Sequence, residues 1–219
     1  MKTTELIDAL AHNLTPVKRL RPPLERAAGW MLVAAAVVAL VGIAHGVRSD
    51  LAQQLARPAY LVVIAASLGT GVLAAIASFL VSLPDRSWRW ALLPVPALLL
   101  WLSSIGYQCL TNWVAIDSSG IQAGETLRCF ATLALTSIPL SLALSIMLRR
   151  AAPLRPVAVT LASALAIAGF AATALWLLHP LDASVMVLVW SAGTMAFALG
   201  VATAVSPGRE AQLRKTSPL

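Results

Sequence analysis

The chain has 219 residues, 59% of them apolar and 11% charged, with a net charge of +7. About a quarter of a soluble domain's residues are charged, so this composition excludes an ordinary soluble protein and points to an integral membrane protein. Charge-free runs long enough to cross a hydrocarbon core recur, and no alternating strand pattern is available to close a barrel, so the expected fold is all-α.

Residues 1–26 are the one sizeable polar stretch and are expected to form a cytoplasmic partner-binding segment. In "TTELIDALAHNL", Thr3 or Thr4 offers an N-cap, Glu5 and Asp8 sit near the positive helix end, and Leu6, Leu10 and Leu14 recur every four residues. The result is a short amphipathic helix, too short to be stable without a surface to lie on. "TPVKRLRPPLER" follows as a basic, proline-marked tether. Anionic headgroups of the bilayer account for Lys18, Arg19, Arg21 and Arg26 but less well for Leu6, Ile7, Leu10 and Leu14, for which a protein groove is at least as good an explanation. No small-residue cleavage site follows the first apolar run cleanly, so a removed signal peptide is not expected.

Apolar runs between charges predict six spans in one bundle, at 29–47, 59–83, 88–107, 130–148, 157–178 and 183–205, within a transmembrane domain of residues 27–206. A cytoplasmic tail, 207–219, completes the chain. Pro94, Pro96 and Pro139 fall inside spans and predict kinks, while Trp30, Tyr60, Trp88, Trp90 and Tyr107 lie near predicted ends, as interfacial anchors would. With the N-terminus cytoplasmic, thirteen Lys and Arg residues fall inside and only Arg48, Arg57 and Arg128 outside. Both termini are then cytoplasmic. The positive charge is therefore topological, and direct nucleic-acid binding is not expected. No Asp, Glu, Lys or Arg lies well inside a predicted span, which removes the main support for a transporter.

The only two cysteines bracket the longest polar interruption, in "GYQCLTNW" at Cys109 and "LRCF" at Cys129. Buried packing is one reading, since free cysteine behaves as a small hydrophobe. The other is a functional thiol pair on the oxidising side. A disulfide there would close a loop of about 20 residues, worth about 3 kcal/mol by chain entropy, and would tie two consecutive antiparallel spans at their outer ends. The resting state, dithiol or disulfide, stays open. A soft-metal site is a variant, with His45 and above all His179 of "HPLDAS" on the same side, although the spacing matches no standard zinc motif. Asp182 in that turn reads as a helix cap. An enzyme reading, a quinone-linked thiol oxidoreductase, lacks the C-x-x-C pair such chemistry uses, so no enzyme and no cofactor are expected.

"LIDAL", "PVKRLRPP", "GYQC", "CF" at Cys129, "RRAAPLRP" and "HPLDASVMVLVW" together resemble the NrsF-type anti-sigma factors, membrane proteins named as negative regulators of sigma F, an extracytoplasmic-function (ECF) sigma factor. The resemblance implies a six-helix bacterial inner-membrane protein whose cytoplasmic N-terminus holds the sigma factor. It also implies a periplasmic cysteine pair needed for the response, which Cys109 and Cys129 match by position. Leu6, Ile7, Leu10, Pro16, Val17, Leu20 and Pro22 match the N-terminal pattern. The implied function is a redox-sensing or heavy-metal stress switch that releases the sigma factor.

Overall fold

The computed structural model describes residues 21–112, 123–149 and 156–178 together with Gly193 and Ala196; for 108–112, 123–129 and 149 the description covers the backbone. Among the described residues every regular element is helical: α1 (Pro23–His45), α2 (Leu51–Leu55), α3 (Pro58–Val81), a 3-10 turn (Trp88–Leu92), α4 (Val95–Asn112), α5 (Ala123–Arg149) and α6 (Pro156–Leu178). Proline opens α1, α3 and α6, where its fixed φ suits a helix and its missing N–H is not needed. Gly46 ends α1 at a φ of 80°, and its N–H donates to the Gly42 carbonyl. Five spans are long and apolar enough to cross a membrane. The predicted sixth, 183–205, lies outside the described residues except for Gly193 and Ala196, which are helical.

Three expectations change. The run 88–107 is not one kinked helix but a 3-10 turn followed by α4, because Pro94 and Pro96 together deny the ladder two N–H groups; Pro96 instead takes a place in the first turn of α4. Pro139, by contrast, lies within α5, which runs on past it to Arg149. The helices also outrun the predicted spans at the cysteine end: α4 reaches Asn112 and α5 starts at Ala123, so Cys109 and Cys129 sit on helices rather than at the margins of a loop. Third, the two cysteine-bearing helices are not each other's main neighbours. Among the described residues α4 packs chiefly on α3, and α5 on α1 and α6.

At the centre α3 and α6 make the most extensive contact of the fold. Small residues permit it, as is usual where lipid offers no hydrophobic drive between helices. A Cβ on Gly169 would lie 2.6 Å from the Gly71 nitrogen and 2.7 Å from the Ser67 carbonyl oxygen. One turn on, the Ser67 and Thr173 hydroxyls share a hydrogen bond of 3.0 Å. Other buried hydroxyls turn back on their own helices, as with Thr70 to the Ala66 carbonyl and Thr136 to that of Thr132, so these need no water at membrane depth; the buried Ser163 hydroxyl has no such partner among the described residues. Large side chains such as Leu32, Leu40, Ile43, Leu99, Ile138 and Leu142 are exposed instead, the inverse of a soluble core and the outer surface a bilayer would wet.

Trp30 and Tyr60 are corrections too. Both are buried rather than set at the interface. The Trp30 indole donates to the Leu140 carbonyl at 3.2 Å and meets Phe170 edge-on at 5.3 Å, while the Tyr60 hydroxyl donates to the Trp176 carbonyl. With a protein partner for each polar tip, nothing holds these rings at a wet boundary. Trp88, Trp90 and Tyr107 are exposed, in keeping with the anchor reading.

Candidate functional site

The helices alternate in direction, which gives the assembly two ends. Arg26 of α1 lies against Phe79 near the end of α3 and Met147 near the end of α5. At the opposite end Tyr60 reaches Trp176, a Cβ on Gly42 would touch Leu178, and a shallow groove is lined by Ala59, Val62, Leu100, Ser103, Ser104 and Tyr107. Cys109 is two residues past Tyr107, and Cys129 is six past the start of α5, so both backbones belong to the Tyr60 end.

Their helical register is informative. Ile105 precedes Cys109 by four residues and Leu133 follows Cys129 by four; each is 1% exposed, and both belong to one cluster with Tyr60, Val63, Ala66, Trp101, Ala171, Leu175 and Trp176. Residues four apart share a helix face. In backbone register, therefore, Cys109 continues the row of Ile105 on α4 and Cys129 that of Leu133 on α5, each one turn nearer the end.

The same end carries a polar staple that hydropathy did not reveal. In the connector after α1, Arg48 donates through Nε and Nη2 to the two carboxylate oxygens of Asp50, each at 2.7 Å, and Gln54 Nε2 donates to Asp50 at 3.0 Å. The Arg48 guanidinium stands 5.7 Å from the centre of the Tyr60 ring. The hydrogen bond from Arg48, then that from Gln54, hold the Asp50 carboxyl well below the usual carboxylate range, and the same bond to Asp50 raises Arg48. A bidentate pair with a stacked guanidinium fixes geometry as well as charge. Here it ties the α1 connector to the start of α3, and through Tyr60 to α6.

At the other end Arg26 is 7% exposed, not laid out toward headgroups as the sequence suggested. Its Nη2 donates to the Met147 carbonyl, the guanidinium lies 5.0 Å from the Phe79 ring centre, and Nη1 has no hydrogen-bond partner among the described residues. The sequence held a clue to this site. Arg26, Trp30 and Ala34 fall at intervals of four on a helix whose other positions include Leu32 and Leu40, so two polar-tipped side chains share the face with the small residue.

Other predicted residues cannot be placed. Leu6, Ile7, Leu10, Leu14, Pro16, Val17 and Leu20 lie outside the described residues, as do His179 and Asp182, and the side chains of Cys109 and Cys129 are likewise not described. His45 closes α1 at the Tyr60 end and is exposed. No group of three or more His, Cys, Asp or Glu occurs among the described residues.

The class this defines is an all-helical protein with several spans fit for a membrane, whose polar side-chain clusters lie at its two ends. A family described as negative regulator of sigma F (NrsF) matches residues 10–208, and the chain belongs to that family. Membership makes it a negative regulator of a sigma factor, which is thereby its partner. No curated protein and no solved structure matches the chain.

Proposed function

We propose that the chain is a multi-pass anti-sigma factor of the bacterial inner membrane, with both termini cytoplasmic. On this reading residues 1–26 sequester an ECF sigma factor, and oxidation or soft-metal binding at Cys109 and Cys129 on the periplasmic side releases it. The protein acts as a switch and not as an enzyme. The observation that carries the reading is the register of the two thiols: each stands one turn beyond a fully buried residue of the same core, on helices that otherwise pack on different neighbours. Linking two such helices favours one packing over another, which is what a switch requires.

Orientation rests on charge. Arg26, Arg86 and Arg89 belong to the Arg26 end, while Arg48 and Arg57 belong to the other. The excess of basic residues supports a cytoplasmic Arg26 end. Disulfide formation takes two protons and two electrons from the thiols, and hydrogen peroxide accepts them in becoming two waters. Cadmium would instead displace two thiol protons and bridge two thiolates.

The test is a sigma-dependent reporter in cells carrying the full chain, challenged with peroxide or cadmium. Cys109→Ser and Cys129→Ser should each keep the sigma factor bound and abolish induction while the protein accumulates normally. Constitutive release by both single mutants would reverse the sign of the switch but keep the pair as sensor. Wild-type induction in the double mutant would end the thiol reading.

A further inference from the structure

We propose that Arg26 is the positioning residue that couples the thiol end of α5 to the sigma-binding segment, by gripping the last turn of α5 at the root of that segment. This rests on the reading of the cysteines as the sensor and adds the route by which their state reaches the partner.

Three observations meet at Arg26. It lies in the first turn of α1 and is the last residue of the 1–26 stretch, so its position sets where that stretch leaves the membrane-spanning part. The residue is more than nine-tenths buried, yet among the described residues its guanidinium pairs with no carboxylate and has one carbonyl, one aromatic face and an Nη1 without a hydrogen bond. The carbonyl it grips, Met147, is among the last four of α5, which lack an N–H partner within the helix and carry its negative end.

A guanidinium buried with so few partners is held by position, not by strong pairing. It stays in place only while the end of α5 and the Phe79 ring are both where they are. If α5 turns or withdraws, the group loses its one hydrogen bond and water at the membrane surface becomes its better surroundings. A structural contact alone would be served as well by an aliphatic side chain against Phe79.

The same helix carries Cys129. Cys129 and Met147 are eighteen residues apart on α5, about five full turns and ~27 Å, so they lie on the same helix face at opposite ends of one continuous element. A second grip, from the Trp30 indole to the Leu140 carbonyl, joins the same two helices one turn deeper in α1. A rotation of α5 set at Cys129 thus reaches Arg26 without passing through any other helix.

The experiment compares wild type, Arg26→Met and Arg26→Lys as full chains in membranes. Three quantities are read: sigma retention without oxidant, reporter induction by peroxide, and oxidation of the thiols by loss of maleimide labelling. Arg26→Met should oxidise its thiols as wild type does and yet lose at least tenfold of the induction, because the outer event no longer reaches the segment. Arg26→Lys keeps the charge and can still meet a carbonyl but lacks the planar fork and stacks less well, so its induction should fall several-fold and lie between the two. Wild-type induction in Arg26→Met overturns the proposal. Should Arg26→Met fail to accumulate, Arg26→Lys decides: reduced induction with normal thiol oxidation supports the coupling role, and wild-type induction refutes it. Failure of the underlying sensor reading looks different, since wild type itself would then show no thiol oxidation with peroxide, or oxidation without release.

Discussion

Replacing Gly169 by alanine adds one methyl group where α6 crosses α3, and the structure gives the terms needed to weigh it. The new Cβ would stand 2.6 and 2.7 Å from the Gly71 nitrogen and Cα and 2.7 Å from the Ser67 oxygen. All three are backbone atoms, so no side chain can swing aside and the helices must separate. Restoring ordinary contact requires about 0.8 Å. That movement takes the Ser67–Thr173 hydrogen bond from 3.0 Å to a length at which it is lost. Overpacking costs about 1–3 kcal/mol, the lost interhelical bond about 0.6 kcal/mol, and alanine's better helix propensity returns about 1 kcal/mol. The net expectation is a loss of about 0.6–2.6 kcal/mol. At Gly71 the nearest atom is a Phe170 ring carbon at 3.0 Å, with backbone at 3.2 and 3.3 Å, so Gly71→Ala needs only a few tenths of an ångström and should be near neutral. Equilibrium unfolding of the purified protein from mild detergent into dodecyl sulfate measures both. Gly169→Ala at wild-type stability, or Gly71→Ala the more damaging of the two, would refute the crossing geometry.

Leu10→Asp should release the sigma factor without lowering membrane abundance, as read by co-purification; unchanged retention would move the binding surface away from the N-terminal stripe. An impermeant maleimide added to reduced, intact spheroplasts should label Cys109 or Cys129 before a cysteine introduced at Arg150, and the reverse order would invert the topology. The Asp50 carboxyl is depressed in the folded chain, so its contribution is complete above its unfolded value, about pH 4, and is lost as pH falls toward the folded value. The thermal midpoint of Asp50→Asn should accordingly lie below wild type by a constant amount from pH 8 to 5, with the gap closing below about pH 4.

Length and charge were enough to find five of the helices, because a run without charge is a local fact; the proline starts were not read, since residues 23–26, expected in the tether, already belong to α1, and Pro23, Pro58 and Pro156 open α1, α3 and α6. Neighbours were not legible. In a soluble helix the apolar stripe points to the core, but here lipid and core are both apolar, so Leu32 at 73% exposure and Ala34 at 0% carry the same signal. Size was the useful variable, and small residues do mark the α3–α6 contact. Aromatic position misled for a related reason: Trp30 and Tyr60 satisfy their polar tips on carbonyls of other helices, 110 and 116 residues away in the chain, which no local pattern announces. Sequence adjacency misled as well, since α4 and α5 follow one another in the chain yet pack mainly elsewhere.

Pro139 has a mechanical consequence. Having no N–H, it leaves the Leu135 carbonyl without its usual partner, and α5 is softest against bending at that point. The very next residue, Leu140, is where the Trp30 indole pins the helix to α1. A compliant joint beside a pinned point works as a universal joint does: it absorbs a tilt of either arm and passes on a turn about the helix axis. One arm runs ten residues to Cys129, about 15 Å, and the other eight residues to Met147, about 12 Å. A sideways step at one face of the membrane is therefore taken up at mid-helix, and what reaches the other face is the turn of the helix about its own axis.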